Sequence, residues 1–223
     1  MNFDFYDIFY YSCLLISAAI GLACLNKVER GFKWLAILMV LTVVSELIAK
    51  YLVYGLEKQD NNIVYHFFTP VEYAFYVIIF LQFLEDKKWH WRLWLSAIAL
   101  FLFEILNTMY IQPLNVTSTN VIIAESVLLV FLSLVLFLKI RETPSQRILL
   151  REGVFWFNSA VLCYYAFSIL VWGFHNMKVY NLDNAPQIIY DINMILSGLL
   201  YLSFSIAIVF NALSKPLMRN THD

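Results

Sequence analysis

Residues 119–140, TNVIIAESVLLVFLSLVLFLKI, carry one acidic side chain, Glu125, and one basic side chain, Lys139, in an otherwise apolar run. A run of this length is what an α-helix needs to cross about 30 Å of hydrocarbon. Its apolar residues form a block and do not alternate with polar ones, so no side of the helix is reserved for water.

Six further blocks of the same kind lie at 6–26, 33–54, 64–84, 93–112, 153–173 and 187–212. The expected fold is therefore an all-α integral membrane protein, a seven-transmembrane-helix bundle forming one domain over 1–223. Composition agrees. The chain is 61% hydrophobic and only 14% charged, with a mean hydropathy of +0.71, whereas a soluble domain needs far more charge to coat its surface. Trp and Tyr gather near the block ends, as in an interfacial belt. A net charge of −1 without a basic stripe excludes nucleic acid as a partner. Cys13, Cys24 and Cys163 fall inside apolar blocks without paired spacing, so they read as small hydrophobes and not as disulfides or zinc ligands. The opening MNFDFYDIFYY lacks a basic n-region, so the first block is expected to be a retained helix.

Lys and Arg favour alternate connections. Lys27, Arg30 and Lys33 follow the first block, and Lys87, Lys88 and Arg92 follow the third. Arg141, Arg147 and Arg151 follow the fifth, with Lys139 at its edge, and Lys215 and Arg219 lie in the tail. The intervening connections hold only Lys58 and Lys178, offset by Glu57, Asp60 and Asp183. The positive-inside rule then places the N-terminus outside and the C-terminus in the cytoplasm, in a plasma (inner) membrane. Asn115-Val116-Thr117 is a glycosylation sequon on the outer side, with meaning only in a source that glycosylates.

The chain also echoes itself. Ile63-Val64-Tyr65-His66 lies over Ile188-Ile189-Tyr190-Asp191, and Leu52-Val53-Tyr54-Gly55 over Leu170-Val171-Trp172-Gly173. Two three-helix units joined by a linking helix, a 3+1+3 repeat, would account for this.

Ionisable residues inside a membrane are costly and mark either function or helix-to-helix hydrogen bonds. Here Glu46, Lys50, Glu72, Glu104 and Glu125 lie within blocks, with His66 and Asp191 nearer the outer ends. All fall in the outer half or near the middle, and the inner half offers little beyond Ser133, Asn158 and Ser203. Spacing groups them further. Glu46, Lys50 and Tyr54 are four apart, with the acid N-terminal to the base, the favourable order for an ion pair. Tyr65, Thr69, Glu72 and Tyr76 follow 4-3-4 spacing and form one stripe, and Glu104 shares a face with Asn107 and Thr108. Pro70 removes a backbone donor between His66 and Glu72, where a kink or hinge would be expected. Five carboxylates against one Lys and one His cannot all be paired, so a cavity that takes a cationic or hydrogen-bonding small molecule is expected. Helix-to-helix bonding, worth about 1 kcal/mol per contact, is the competing account of each residue.

Several machines are excluded. A retinylidene pigment needs a Lys in the seventh block, which has none. A membrane zinc hydrolase needs several His and Asp ligands, and of the four His only His66 is well placed. Neither Gly-x-Ser-x-Gly nor His-Glu-x-x-His occurs. Pro186-Gln187 occurs once, at the start of the last block, unlike the paired motifs of seven-helix sugar transporters.

The pattern Asn61-Asn62-Ile63-x-Tyr65…Glu72-Tyr73, with Phe155-Trp156-Phe157-Asn158-Ser159, resembles an uncharacterised family of bacterial seven-transmembrane-helix proteins similar to the membrane sensor regions of signalling proteins. The resemblance implies no activity or cofactor and points to Glu72 among the outer polar residues. The leading expectation is a receptor- or sensor-like protein that binds a small ligand and signals through a separate membrane or cytoplasmic partner. A proton-coupled transporter of small solutes or cations is the second. An intramembrane enzyme using carboxylates or a metal on a lipid-like substrate is the third.

Overall fold

The computed structural model describes residues 4–57, 60–84, 86–142, 152–176 and 185–214. Lys58, Arg147, Arg151, Lys178, Asp183, Lys215, Arg219 and His222 lie outside the described residues. Seven helices follow in order: α1 (Phe5–Cys24), α2 (Arg30–Tyr54), α3 (Asn62–Leu84), α4 (Lys87–Tyr110), α5 (Thr119–Glu142), α6 (Gly153–Asn176) and α7 (Ala185–Ser214). Each is long and apolar enough to cross a membrane.

The expected and observed limits differ most at α4, which begins at Lys87 and not near residue 93. Asp86 caps it, its carboxylate accepting from the Lys88 amide at 2.9 Å, so the first turn forms among Lys87, Lys88 and Trp89. Such residues can extend a helix past the hydrocarbon, the lysines keeping their charged ends and the indole its polar edge toward water. At α3 the helix runs continuously through Pro70. The Thr69 hydroxyl donates to the Tyr65 carbonyl at 2.9 Å one turn back.

α1, α2, α3, α5, α6 and α7 pack in a closed ring in that order, and α4 lies outside it against α3 and α5. The outward faces carry large apolar side chains such as Leu15, Leu47, Phe101, Phe131, Leu170 and Leu199, all exposed. A belt of this extent would be an aggregation liability in water and is the surface lipid tails cover. Close approach of helices is set by small residues. A Cβ on Gly153 would stand 2.5 Å from the Ala207 carbonyl oxygen, and one on Gly21 would stand 3.0 Å from the Ala36 Cβ.

The basic connections share one end of the bundle, where α1–α2, α3–α4 and α5–α6 are joined. There Lys139 donates to the carbonyls of Phe83 and Leu84 at 2.9 and 2.6 Å, satisfying the C-terminal carbonyls of α3. The Glu29 amide donates to Asn211 Oδ1 at 2.9 Å, fastening the α1–α2 connection to α7.

Candidate functional site

At the opposite end, inside the ring, lies a cavity of about 250 Å³. Its wall takes Tyr10 from α1, Glu46 from α2, Tyr65, Thr69 and Glu72 from α3, and Glu125 from α5. α6 supplies Tyr164, Tyr165, Ser168 and Trp172, and α7 supplies Tyr190, Asn193, Ser197 and Tyr201. Along α3 the lining runs from the helix start to Glu72, about 15 Å at 1.5 Å per residue, or half a bilayer core. Three glutamates line this space, and no Lys, Arg or His does so among the described residues.

The three carboxylates have different surroundings. Glu46 is well held: Tyr10 donates to Oε1 at 2.9 Å, Tyr11 to Oε2 at 3.1 Å, and Tyr65 approaches both oxygens at 3.3 and 3.4 Å. Glu72 accepts one long bond from Tyr165, at 3.3 Å. Glu125 is only 3% exposed, yet its Oε1 has no hydrogen-bond partner. The same holds for Ser168 Oγ and Asn193 Oδ1 on the neighbouring walls. Buried polar atoms normally find partners. Among the described residues seven buried side-chain atoms lack one, and three of the seven belong to residues that line this cavity.

Behind the cavity a second polar cluster ties α3, α4 and the start of α5 together. His66 Nε2 meets the Val116 carbonyl at 2.7 Å, and because a carbonyl only accepts, that nitrogen carries a proton. His66 Nδ1 lies 2.6 Å from Glu104 Oε1, which also accepts from Thr108 at 2.8 Å. Ser118 donates to Glu104 Oε2 at 2.9 Å and accepts from Asn107 at 3.2 Å. Asn107 also donates to Gln112 Oε1 at 3.0 Å, and Asn120 returns a bond to Asn107 Oδ1 at 3.1 Å. Gln112 in turn donates to Thr119 at 2.7 Å. Both oxygens of Glu104 and both ring nitrogens of His66 are thereby used.

The ten residues singled out from the sequence thus divide. Glu46, Thr69, Glu72 and Glu125 meet at the cavity. His66, Glu104 and Asn107 belong to the cluster behind it. Tyr76 lies fully buried beneath the cavity, its ring edge-on to Tyr165 at 5.6 Å. Lys50 sits 3.9 Å from Asp7 and over the rings of Tyr11 and Tyr54, at 5.0 and 5.7 Å. Asp191, half-buried, accepts from Gln187 at 2.8 Å and lies off the lining. Sequence reasoning missed Tyr10, Tyr164, Tyr165, Ser168, Trp172 and Asn193. Their helical spacing was visible, Tyr165, Ser168 and Trp172 being three and four apart, but without ionisable groups they read as ordinary core.

Below the cavity the bundle is closed by rings. Phe157, fully buried, contacts Phe80 at 5.6 Å, Phe83 at 5.4 Å and Phe204 at 5.6 Å, the last nearly parallel. Phe32 meets Phe83 at 5.2 Å. Among the described residues no three His, Cys, Asp or Glu side chains are grouped to hold a metal ion. Comparison with protein-family models, curated proteins and solved structures finds no match for this chain, so the likeness to bacterial seven-helix proteins rests on its motifs alone.

Proposed function

We propose that this multi-pass membrane protein is receptor- or sensor-like, binding a small cationic ligand in the acidic cavity and signalling through a separate partner. One observation carries the reading: three glutamates share a cavity whose described lining holds no basic side chain, and Glu125 keeps an unpartnered carboxyl oxygen there. Negative walls of low polarity concentrate cations, and six tyrosines with Trp172 add ring faces that attract them. With the Lys/Arg bias setting direction, the cavity opens outward and the partner meets the basic end.

Organic cations such as phenethylamine and tetramethylammonium are expected to raise the unfolding temperature of the reconstituted protein. At a hundredfold excess over Kd the shift is about 5 °C or more. Glu72→Gln, made at a wall carboxylate with only one long hydrogen bond, should cut the shift sharply. No shift with any cation tested, or an equal shift with isosteric neutral alcohols, contradicts the reading.

A proton-coupled transporter is the second reading, and one feature favours it. Beyond the cavity, between α5 and α6, Ser133 Oγ and Asn158 Oδ1 are buried without partners, a polar step toward the basic end. The aromatic layer around Phe157 weighs against a through-path. Uptake of labelled amine into proteoliposomes, abolished by Glu72→Gln, would establish transport in place of sensing.

A further inference from the structure

We infer that the cavity selects a primary amine, an ammonium group with N–H donors, which Glu125 anchors and Ser168 and Asn193 complete. The inference rests on the cavity being a cation site and deepens it by naming the headgroup. Tyrosines and Trp172 alone would suit a quaternary ammonium, which is held by ring faces and donates nothing. What the rings leave unexplained is the set of lone acceptors. Glu125 is 3% exposed and Ser168 is 1% exposed, both line the cavity, and Glu125 Oε1 and Ser168 Oγ have no partner. Asn193 Oδ1, on the next helix, is in the same condition.

These groups come from α5, α6 and α7, the three helices that form one side of the ring. Three acceptors borne on three adjacent helices equal in number the three N–H bonds an ammonium offers. The last torsion of a glutamate side chain is broad, so a small rotation can present either carboxyl oxygen to the cavity. Glu46 is different in kind, since its oxygens are already taken by tyrosine hydroxyls. It shapes the field of the cavity and is not the anchor.

Calorimetric titration of the full chain in lipid nanodiscs tests this. Phenethylamine and hexylamine are compared with their N,N,N-trimethyl counterparts. The primary amines should bind at least about tenfold tighter, since hydrogen bonds to a charged donor are the stronger kind. Glu125→Gln and Asn193→Leu should each weaken the primary amines about tenfold and narrow the gap to the trimethyl forms. Ser168→Ala should narrow it with little change in unfolding temperature, which keeps the test independent of folding. If the trimethyl forms bind as tightly and Glu125→Gln weakens both alike, the primary-amine inference fails and the cation cavity stands. If neither kind binds the correctly folded protein, both readings fail.

Discussion

Glu104 and Glu125 are acidic residues one turn or more inside apolar helices, both about nine-tenths buried or better. Glu104 has donors at each oxygen, from Thr108 and Ser118, with the His66 ring against it. Glu125 has an oxygen with none. Breaking a buried, fully bonded pair is expensive because it strands the remaining polar group. His66→Ala should lower stability by about 3 kcal/mol, read from unfolding in detergent or nanodiscs. Removing an unsatisfied group has the opposite sign, so Glu125→Met should raise the stability of the ligand-free protein by about 1 kcal/mol. A gain of that kind marks a residue kept for function. Sequence could name both glutamates, but not separate them. Partner count depends on Val116, Ser118 and Gln112 in the α4–α5 connection, which carry no charge to draw the eye.

At the scale of elements, all seven helices were legible, because apolar block length is a direct consequence of membrane thickness. Their ends were less so. α4 reaches back to Lys87 because Asp86 caps it, a local bond that hydropathy does not register. The position of α4 outside the ring was also hidden, since its composition matches the others. In the structure it buries only Leu93, Leu100, Glu104 and Asn107. Packing at glycines gives a contrast within a single helix. Gly153→Ala would push a methyl into the Ala207 carbonyl and should cost about 1–3 kcal/mol. Gly173, with nothing within 4 Å of an added Cβ, should accept alanine with a gain of up to about 1 kcal/mol from helix propensity. Thermal unfolding of the two variants side by side checks both signs.

For the whole molecule, polar and apolar surfaces are arranged inside out relative to a soluble bundle. Apolar belts face outward, an acidic cavity occupies one half of the interior, and an aromatic layer closes it toward the basic end. The Lys/Arg alternation predicts which side each half faces. In a background with Cys13, Cys24 and Cys163 replaced, Thr117→Cys should react with a membrane-impermeant maleimide on intact cells. Lys88→Cys should react only after permeabilisation, and the reverse pattern would invert the topology. That polar residues cluster in one half was visible from their positions along the blocks. Which of them share a space was not, because it depends on ring order, and that order brings α5, α6 and α7 beside one another.

On the proposed reading the cavity carboxylates serve a ligand while the His66–Glu104 cluster serves the fold. The most direct measurement is the unfolding temperature of wild type, Glu125→Met and His66→Ala, each with and without saturating phenethylamine. Glu125→Met should be at least as stable as wild type and show at most about half of the amine-induced rise. His66→Ala should melt lower and keep that rise in full. A Glu125→Met protein that melts lower yet still responds fully to the amine would contradict that reading.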